Sequence, residues 1–144
     1  MTDRFSVLLD TNIILDVLLG RSPHAASSGA LWACIESGEA QGLLAPHAVT
    51  TIHYLLRQQL KEPQAKRAVA SLLSIFGIAL VNEKVLSDAL ISNSADYGDA
   101  VTAAAALHAN CDYIVTRDPR GFRGSPVKVI TPDAACALIA QIRD

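Results

Sequence analysis

The chain has 144 residues, of which 51% are hydrophobic and 18% are charged, and its formal net charge is −2. This length and hydrophobicity fit one folded domain over residues 1–144 with a substantial core, and they argue against intrinsic disorder. The low net charge argues against a protein that coats nucleic acid by charge alone, because such domains are usually strongly basic. A nucleic-acid enzyme that uses metal ions and a local basic patch remains compatible with it.

The cysteines and the N-terminus indicate the compartment. Cys34, Cys111 and Cys136 are odd in number, lie far apart and form no C-x-x-C pair, which favours a reducing compartment and small buried thiols over a disulfide framework. Residues 1–10 hold one arginine and a short apolar run, which is not the pattern of a signal peptide. No apolar stretch approaches the ~20 residues that span a membrane. We therefore expect a cytoplasmic protein without a membrane anchor.

Short apolar segments alternate with helical patterns along the chain. The predicted strands are residues 5–9, 42–45, 78–81, 113–116 and 127–130. The predicted helices begin near residues 13, 25, 46, 64, 84, 97 and 132. Gly20 is expected to end the first helix, Pro63 to separate the third from the fourth, and Thr131 to cap the last. The alternation predicts a three-layer α/β/α fold around a mainly parallel sheet of about five strands.

Acidic residues follow two of these strands, at the edge where open parallel sheets form their sites. Asp10 comes directly after the first strand, and Asp118 follows the fourth. Asp96 and Asp99 open the helix that leads into the fourth strand. If both strands are central, these carboxylates converge, and converging carboxylates repel one another unless a cation lies between them. Mg²⁺ or Mn²⁺ suits such oxygen ligands and can activate water to hydrolyse a phosphodiester.

Each acid also has a structural explanation. Asp10 and Asp96 are candidates for helix N-caps, and Asp99 is a first-turn acid that the helix dipole favours. Asp118 precedes a proline in a pair that often begins a turn. Asp16 is predicted to be a solvated helix position. The metal-site hypothesis therefore depends on the combination of acids at successive strand ends.

The loop after the fourth strand is rich in arginine. Arg117, Arg120 and Arg123 lie beside the predicted acidic cleft, where guanidinium groups can bind phosphates through two hydrogen bonds. The alternative interpretation is an ordinary solvated loop.

Three segments resemble motifs of the PIN domain family. They are residues 8–13 (LLDTNI), residues 96–100 (DYGDA) before an alanine-rich helix, and residues 112–118 (DYIVTRD). The resemblance covers almost the whole chain, and the three motifs occur in the order that the family shows. It implies a PIN-like fold and a Mg²⁺- or Mn²⁺-dependent ribonuclease. It also implies relatives that are toxins of prokaryotic toxin–antitoxin pairs, with RNA as substrate, an antitoxin protein as partner and a homodimeric assembly.

The resemblance also assigns site residues by position. Asp10, Asp99 and Asp118 match the catalytic, metal-binding acids, and Asp96 is a less regular neighbour that binds water or a second metal. Asn12 and Thr116 match residues that line the site.

One position departs from the family pattern. Thr51 stands where the family usually carries an acid, and His53, two residues later, points roughly 200° away on a helix. Loss of one carboxylate predicts weaker metal binding and leaves a catalytically weakened or inactive member as an alternative.

Other classes of function fit less well. A non-catalytic module on the same fold that binds RNA or protein is favoured by Thr51. A phosphohydrolase with Asp10 as nucleophile commonly needs a second acid two residues later, where this chain has Asn12. Neither a G-x-G-x-x-G segment nor a P-loop follows a strand, which argues against a nucleotide-binding domain.

Overall fold

The computed structural model describes residues 4–143. Residues 1–3, which belong to the segment examined above for a signal peptide, and residue 144 lie outside the described residues. A parallel sheet forms the centre of the fold. Its strands are β1 (Ser6–Leu9), β2 (Gln41–Leu44), β3 (Gly77–Ile78), β4 (Tyr113–Val115) and β5 (Val129–Ile130). They are ordered β3-β2-β1-β4-β5, and every pairing between neighbours is parallel. β1 is therefore central, with β2 and β4 beside it.

Helices cover both faces of this sheet. They are α1 (Thr11–Leu18), α2 (Ala25–Glu36), α3 (Pro46–Arg57), α4 (Glu62–Ile75), α5 (Glu83–Ile91), α6 (Tyr97–His108) and α7 (Pro132–Arg143), with a 3₁₀ turn over Pro119–Phe122. Within residues 4–143, no helix is long and apolar enough to cross a membrane.

Alternation along the strands divides the core into two apolar clusters. Val7 and Leu9 of β1 pack with α1, α2, α3, α4 and α7 on one face. Leu8, between them, packs with α5 and α6 on the other, because successive strand side chains point to opposite faces. The face under α6 is lined by alanines, whose small side chains let that helix lie close to the sheet. The predicted three-layer α/β/α architecture is confirmed.

Several element boundaries differ from the sequence prediction. β3 covers Gly77–Ile78 and not residues 78–81, and β5 covers Val129–Ile130 and not residues 127–130. Both are edge strands that pair on one side only, so pairing ends where the single neighbour ends. Pro63 lies inside the first turn of α4, which begins at Glu62, because a first-turn proline removes no helical hydrogen bond. Two signals are confirmed: Gly20 follows α1 with a φ of +59°, and Thr131 Oγ1 accepts from Ala134 N.

Candidate functional site

Asp10 follows the central strand and is the N-cap of α1. Its Oδ1 accepts a hydrogen bond from Thr11 N at 2.8 Å, and its Oδ2 accepts one from Thr116 Oγ1 at 2.8 Å. Burial raises the pKa of Asp10, although the bonds from Thr116 and Thr11 and the charge of Arg117 act in the opposite direction. The capping explanation is therefore correct for Asp10. A carboxylate has about four lone-pair positions, so capping still leaves positions for a ligand.

Thr116 is the fully buried residue that joins the two strand ends. Its hydroxyl donates to Asp10 and accepts from Asp118 N at 3.1 Å and from Asn12 Nδ2 at 3.4 Å. This places the amide oxygen of Asn12 on the opposite side, where Oδ1 is buried and has no hydrogen-bond partner within residues 4–143. A buried acceptor without a partner is costly, and it suits a site that takes up a cation or water.

Asp99 lies in the first turn of α6, and Asp96 is the N-cap of that helix. Asp96 Oδ1 accepts from Asp99 N at 2.9 Å, so the capping explanation of Asp96 is correct. The pKa of Asp99 is raised to about 6, first by burial and then by the negative charges of Asp96, Asp10 and Asp118. The fold thus brings together four carboxylates from the ends of β1 and β4 and the start of α6, closely enough for their charges to interact.

Asp118 and the arginines occupy the outer side of this group. Asp118 Oδ1 accepts from Arg120 Nε at 3.1 Å, and both side chains are exposed. Arg123 is exposed and lines a cleft of about 290 Å³ that Asp99 also lines. Arg117 points elsewhere, because its Nε donates to Asp16 Oδ2 at 3.0 Å. Arg120 therefore pairs with one of the acids and Arg123 shares a cleft with another, whereas Arg117 binds Asp16 and acts on Asp10 through its charge alone.

The structure places Thr51 on the exposed side of α3, where its hydroxyl donates to His47 O at 2.9 Å. His53 lies 3.2 Å from Glu62 of α4, so it does not replace the absent acid. His47, which carried no role in the sequence analysis, lies 3.0 Å from Thr102 Oγ1 on α6. Its position at the start of the helix after β2 was the available signal, since sites form beyond strand ends.

The donor chemistry suits a hard cation, but the arrangement is open. No group of three or more His, Cys, Asp or Glu side chains in residues 4–143 is placed so that it could hold a metal ion. Mg²⁺ typically takes one or two carboxylates and keeps several waters. Asp10 and Asp99, whose charges interact, provide two carboxylates of that kind. Asp118 Oδ1 is bound to Arg120, and this single bond leaves lone-pair positions on the carboxylate for a ligand.

A substitution at Gly121 tests whether the position of the Asp99 carboxylate matters for metal binding. A Cβ at Gly121 would lie 3.3 Å from Asp99 Oδ2, so Gly121→Ala should displace that carboxylate by a few tenths of an ångström. We expect Mn²⁺ affinity, measured by calorimetric titration, to fall ~10-fold with little change in thermal stability. Gly29→Ala is the control, because a Cβ there meets nothing within 4 Å. Unchanged Mn²⁺ affinity in Gly121→Ala would indicate that the Asp99 carboxylate does not bind the metal.

Comparison with known proteins places the chain in a family. The family model described as PIN domain matches residues 6–120. Among solved structures, FitAB bound to a DNA fragment shares 24% identity and a TM-score of 0.71, covering 88% of this chain and 94% of that chain. VapBC2 from Rickettsia felis, bound to a promoter DNA fragment, shares 15% identity and a TM-score of 0.70 over 88% and 98% of the two chains.

A third structure, the sarcin–ricin loop cleaving toxin VapC20 of Mycobacterium tuberculosis, shares 16% identity and a TM-score of 0.65 over 78% and 90% of the two chains. At these identities the structural likeness shows the fold alone. No curated protein sequence matches the chain significantly. The family model, by contrast, covers most of the chain and includes the acids that follow β1 and β4. This chain belongs to the PIN domain family.

Proposed function

We propose that this protein is a Mg²⁺- or Mn²⁺-dependent ribonuclease whose site is formed by Asp10, Asp99 and Asp118. The observation that carries the proposal is the convergence of the strand-end acids: the Thr116 hydroxyl bonds both Asp10 and the backbone of Asp118, and burial, followed by the charges of Asp96, Asp10 and Asp118, raises the pKa of Asp99 to about 6. Groups with strongly shifted pKa values that face charged neighbours in a cleft are characteristic of functional sites. A divalent cation between the carboxylates removes the repulsion.

The residues of the site have separate roles in this proposal. A bound Mg²⁺ or Mn²⁺ supplies the charge neutralisation and Lewis acidity that phosphodiester hydrolysis requires. Asp10 and Asp99 would hold the cation, and Asp118 would supply a third carboxylate. Asn12 and Thr116 fix the orientation of Asp10 through the hydrogen bonds described above. Asp96 holds the start of α6 in place and adds negative charge.

Arginines beside the acids are proposed to bind the RNA backbone. Arg120 is exposed and pairs with Asp118, and Arg123 is exposed and lines the cleft that Asp99 also lines, so both are available to a phosphate bound near the acids. Arg120 also pairs with Asp118 Oδ1, so an RNA phosphate that attracts Arg120 would free that oxygen as well.

The fold likeness to VapBC and FitAB supports a biological role as well. We propose a toxin of a toxin–antitoxin pair, with an antitoxin protein as partner and a homodimer as the assembly. Exposed apolar side chains on α5 and α6, namely Leu86, Leu90, Ile91 and Leu107, offer a surface for protein contacts.

A second candidate is a PIN-fold module that binds RNA or protein without cleaving it. Two observations favour it. Thr51 brings no carboxylate to the position where the family usually has one, and no group of three ligands is formed by the described side chains. The retention of Asp10, Asp99 and Asp118 in one electrostatic environment favours the nuclease.

Cleavage of labelled single-stranded RNA tests the proposal. Wild-type protein should cleave RNA when Mn²⁺ or Mg²⁺ is present, and cleavage should stop when EDTA is added. Asp118→Asn, purified in parallel, controls for contaminating ribonucleases and should be slower by ~100-fold or more, because it loses a group proposed to contact the cation. RNA binding without metal-dependent cleavage by the wild type, over several RNAs, would favour the binding module.

A further inference from the structure

We propose that Asp16 is a positioning residue for the acidic site. Its carboxylate binds Arg117, which lies next to Asp118, and Arg21, which follows α1 and also bonds Asn12 O near Asp10, and so holds the ends of β1 and β4 in register. The catalytic meaning of this arrangement rests on the proposed function, whereas the structural part does not.

Asp16 has the surroundings of an anchor and not of a solvated helix position, so the sequence prediction for it is wrong. Its side chain is 0% exposed. Oδ1 lies 3.0 Å from both Nε and one terminal nitrogen of Arg21, and Oδ2 lies 3.0 Å from Arg117 Nε and 3.5 Å from Ser28 Oγ. Both oxygens are therefore satisfied by charged or polar donors, as a buried carboxylate requires. The signal in the sequence was spacing, because Asp16 lies three residues after the buried Ile13 on the same helix face.

The two arginines connect this carboxylate to different parts of the site. Arg117 stands between Thr116 and Asp118, so its side chain fixes the backbone of that segment. Arg21 donates a second hydrogen bond to Asn12 O at 3.3 Å, two residues beyond Asp10. One buried carboxylate thus links the segment after β1 to the segment after β4.

Hydrogen bonds connect the segments after β1 and β4 to the carboxylates of the site. Asp10 N donates to Val115 O at 2.9 Å, and the Thr116 hydroxyl bonds both Asp10 and Asp118 N. A shift of Arg117 therefore moves the neighbouring Thr116 and changes the orientation of both acids. Groups that orient metal-binding side chains commonly change metal affinity or activity 10–100-fold when they are lost.

This arrangement assigns Arg117 a different role from that of Arg120 and Arg123. Arg117 Nε is bound to a fully buried carboxylate and the side chain is 32% exposed, compared with 79% for Arg120, which favours an anchoring role over phosphate binding. Asp16 therefore holds Arg117, and Arg117 in turn fixes its chain neighbours Thr116 and Asp118. Arg123, which lines the cleft, is the arginine used for comparison.

Three variants test the linkage: Asp16→Asn, Arg117→Met and the double variant. We expect Mn²⁺ affinity to fall 10–100-fold in each single variant. The affinity of the double variant should be no lower than that of the single variant that binds Mn²⁺ less tightly, because the two residues act as a unit. Arg117→Met keeps Asp16 paired with Arg21, so it remains informative if Asp16→Asn does not fold.

RNA binding in EDTA separates positioning from phosphate contact. Arg123→Met should lower the slope of log affinity against log salt by about 1, and Arg117→Met should leave that slope unchanged. A slope lowered by about 1 in Arg117→Met, with unchanged Mn²⁺ affinity in Asp16→Asn, would overturn the proposal and make Arg117 a phosphate ligand.

Amide hydrogen exchange gives a readout that needs no activity. The Asp118 amide should exchange ~10-fold faster in Asp16→Asn or Arg117→Met than in Leu72→Ala, a variant in the buried core of α4 chosen to lose comparable stability. Equal exchange in the site and core variants would overturn positioning. If wild-type protein neither binds Mn²⁺ nor cleaves RNA, the proposed function fails, and this exchange comparison still decides the role of Asp16.

Discussion

The Asp99→Asn variant is expected to lose metal-dependent RNA cleavage, while its metal-free fold becomes more stable at neutral pH. Asparagine has nearly the shape of aspartate but no charge, so the attraction for the cation disappears. The amide also ends the repulsion from Asp96, Asp10 and Asp118. If the Asp99 charge instead stabilised the fold, its replacement by Asn would lower the stability of the metal-free protein.

The pH dependence of that gain follows from the direction of the pKa shift. Asp99 has a pKa of about 6 in the folded protein and 3.8 as its ordinary value, so the folded state binds the proton more tightly. Stability is therefore lost as the pH rises from about 4 to about 6, and the loss is complete above that range. The Asn variant avoids it, so its advantage is absent below about pH 4 and full at pH 7.

The size of the gain is modest because solvent screens a partly exposed carboxylate. We expect about 1 kcal/mol at pH 7, which corresponds to a rise in Tm of about 3 °C for a chain of this size. Thermal unfolding in EDTA at pH 4 and pH 7 measures it, with Asp133→Asn, an exposed acid in the first turn of α7, as the control. A variant that cleaves RNA like wild type, or that is less stable at pH 7 than at pH 4 relative to wild type, would contradict the role given to Asp99.

The Thr116→Val variant is expected to lose ~10–100-fold in Mn²⁺ affinity and about 1–3 kcal/mol in the free energy of unfolding. Valine fills the space of threonine without its hydroxyl. The change leaves Asp10 Oδ2 and Asp118 N without their shared partner and releases Asn12 Nδ2. Both strand-end acids then lose the group that fixes their relative position.

Thr116→Ser is the matched control for this prediction. It keeps the hydroxyl and removes one methyl group, so metal affinity should stay close to that of wild type, although some packing energy is lost. Calorimetric Mn²⁺ titration and chemical denaturation of both variants provide the comparison. Equal Mn²⁺ affinities for the Val and Ser variants would mean that the hydroxyl does not orient the acids.

The fold could be predicted because its signals are local. Alternating apolar runs and helical patterns indicate a parallel sheet with helices on both faces, and Gly20 and Thr131 mark helix ends through backbone chemistry. The edge strands β3 and β5 were misplaced by a few residues, because their length depends on pairing with one neighbour and not on their own composition.

The site was only partly predictable, because some of its contacts join residues that are far apart in sequence. Acids at strand ends indicate a cleft, because the carboxyl ends of parallel strands share one edge. The partners of Asp16 lie 5 and 101 residues away in sequence, so its position on the helix face of Ile13 indicates burial but does not identify those partners. Arg117 and Arg123 likewise look equivalent in a short loop, and only the packed structure gives them different partners.

Direct measurement of Mn²⁺ binding by electron paramagnetic resonance tests the central claim, that the acids at the ends of β1 and β4 and the start of α6 form a divalent-cation site. Wild-type protein should bind Mn²⁺ saturably. Asp10→Asn and Asp99→Asn should each weaken binding by ~100-fold or more, beyond the loss expected for an outer partner, and Asp133→Asn should leave it unchanged. Absence of saturable binding to the wild type, or equal binding by all three variants, would contradict the account.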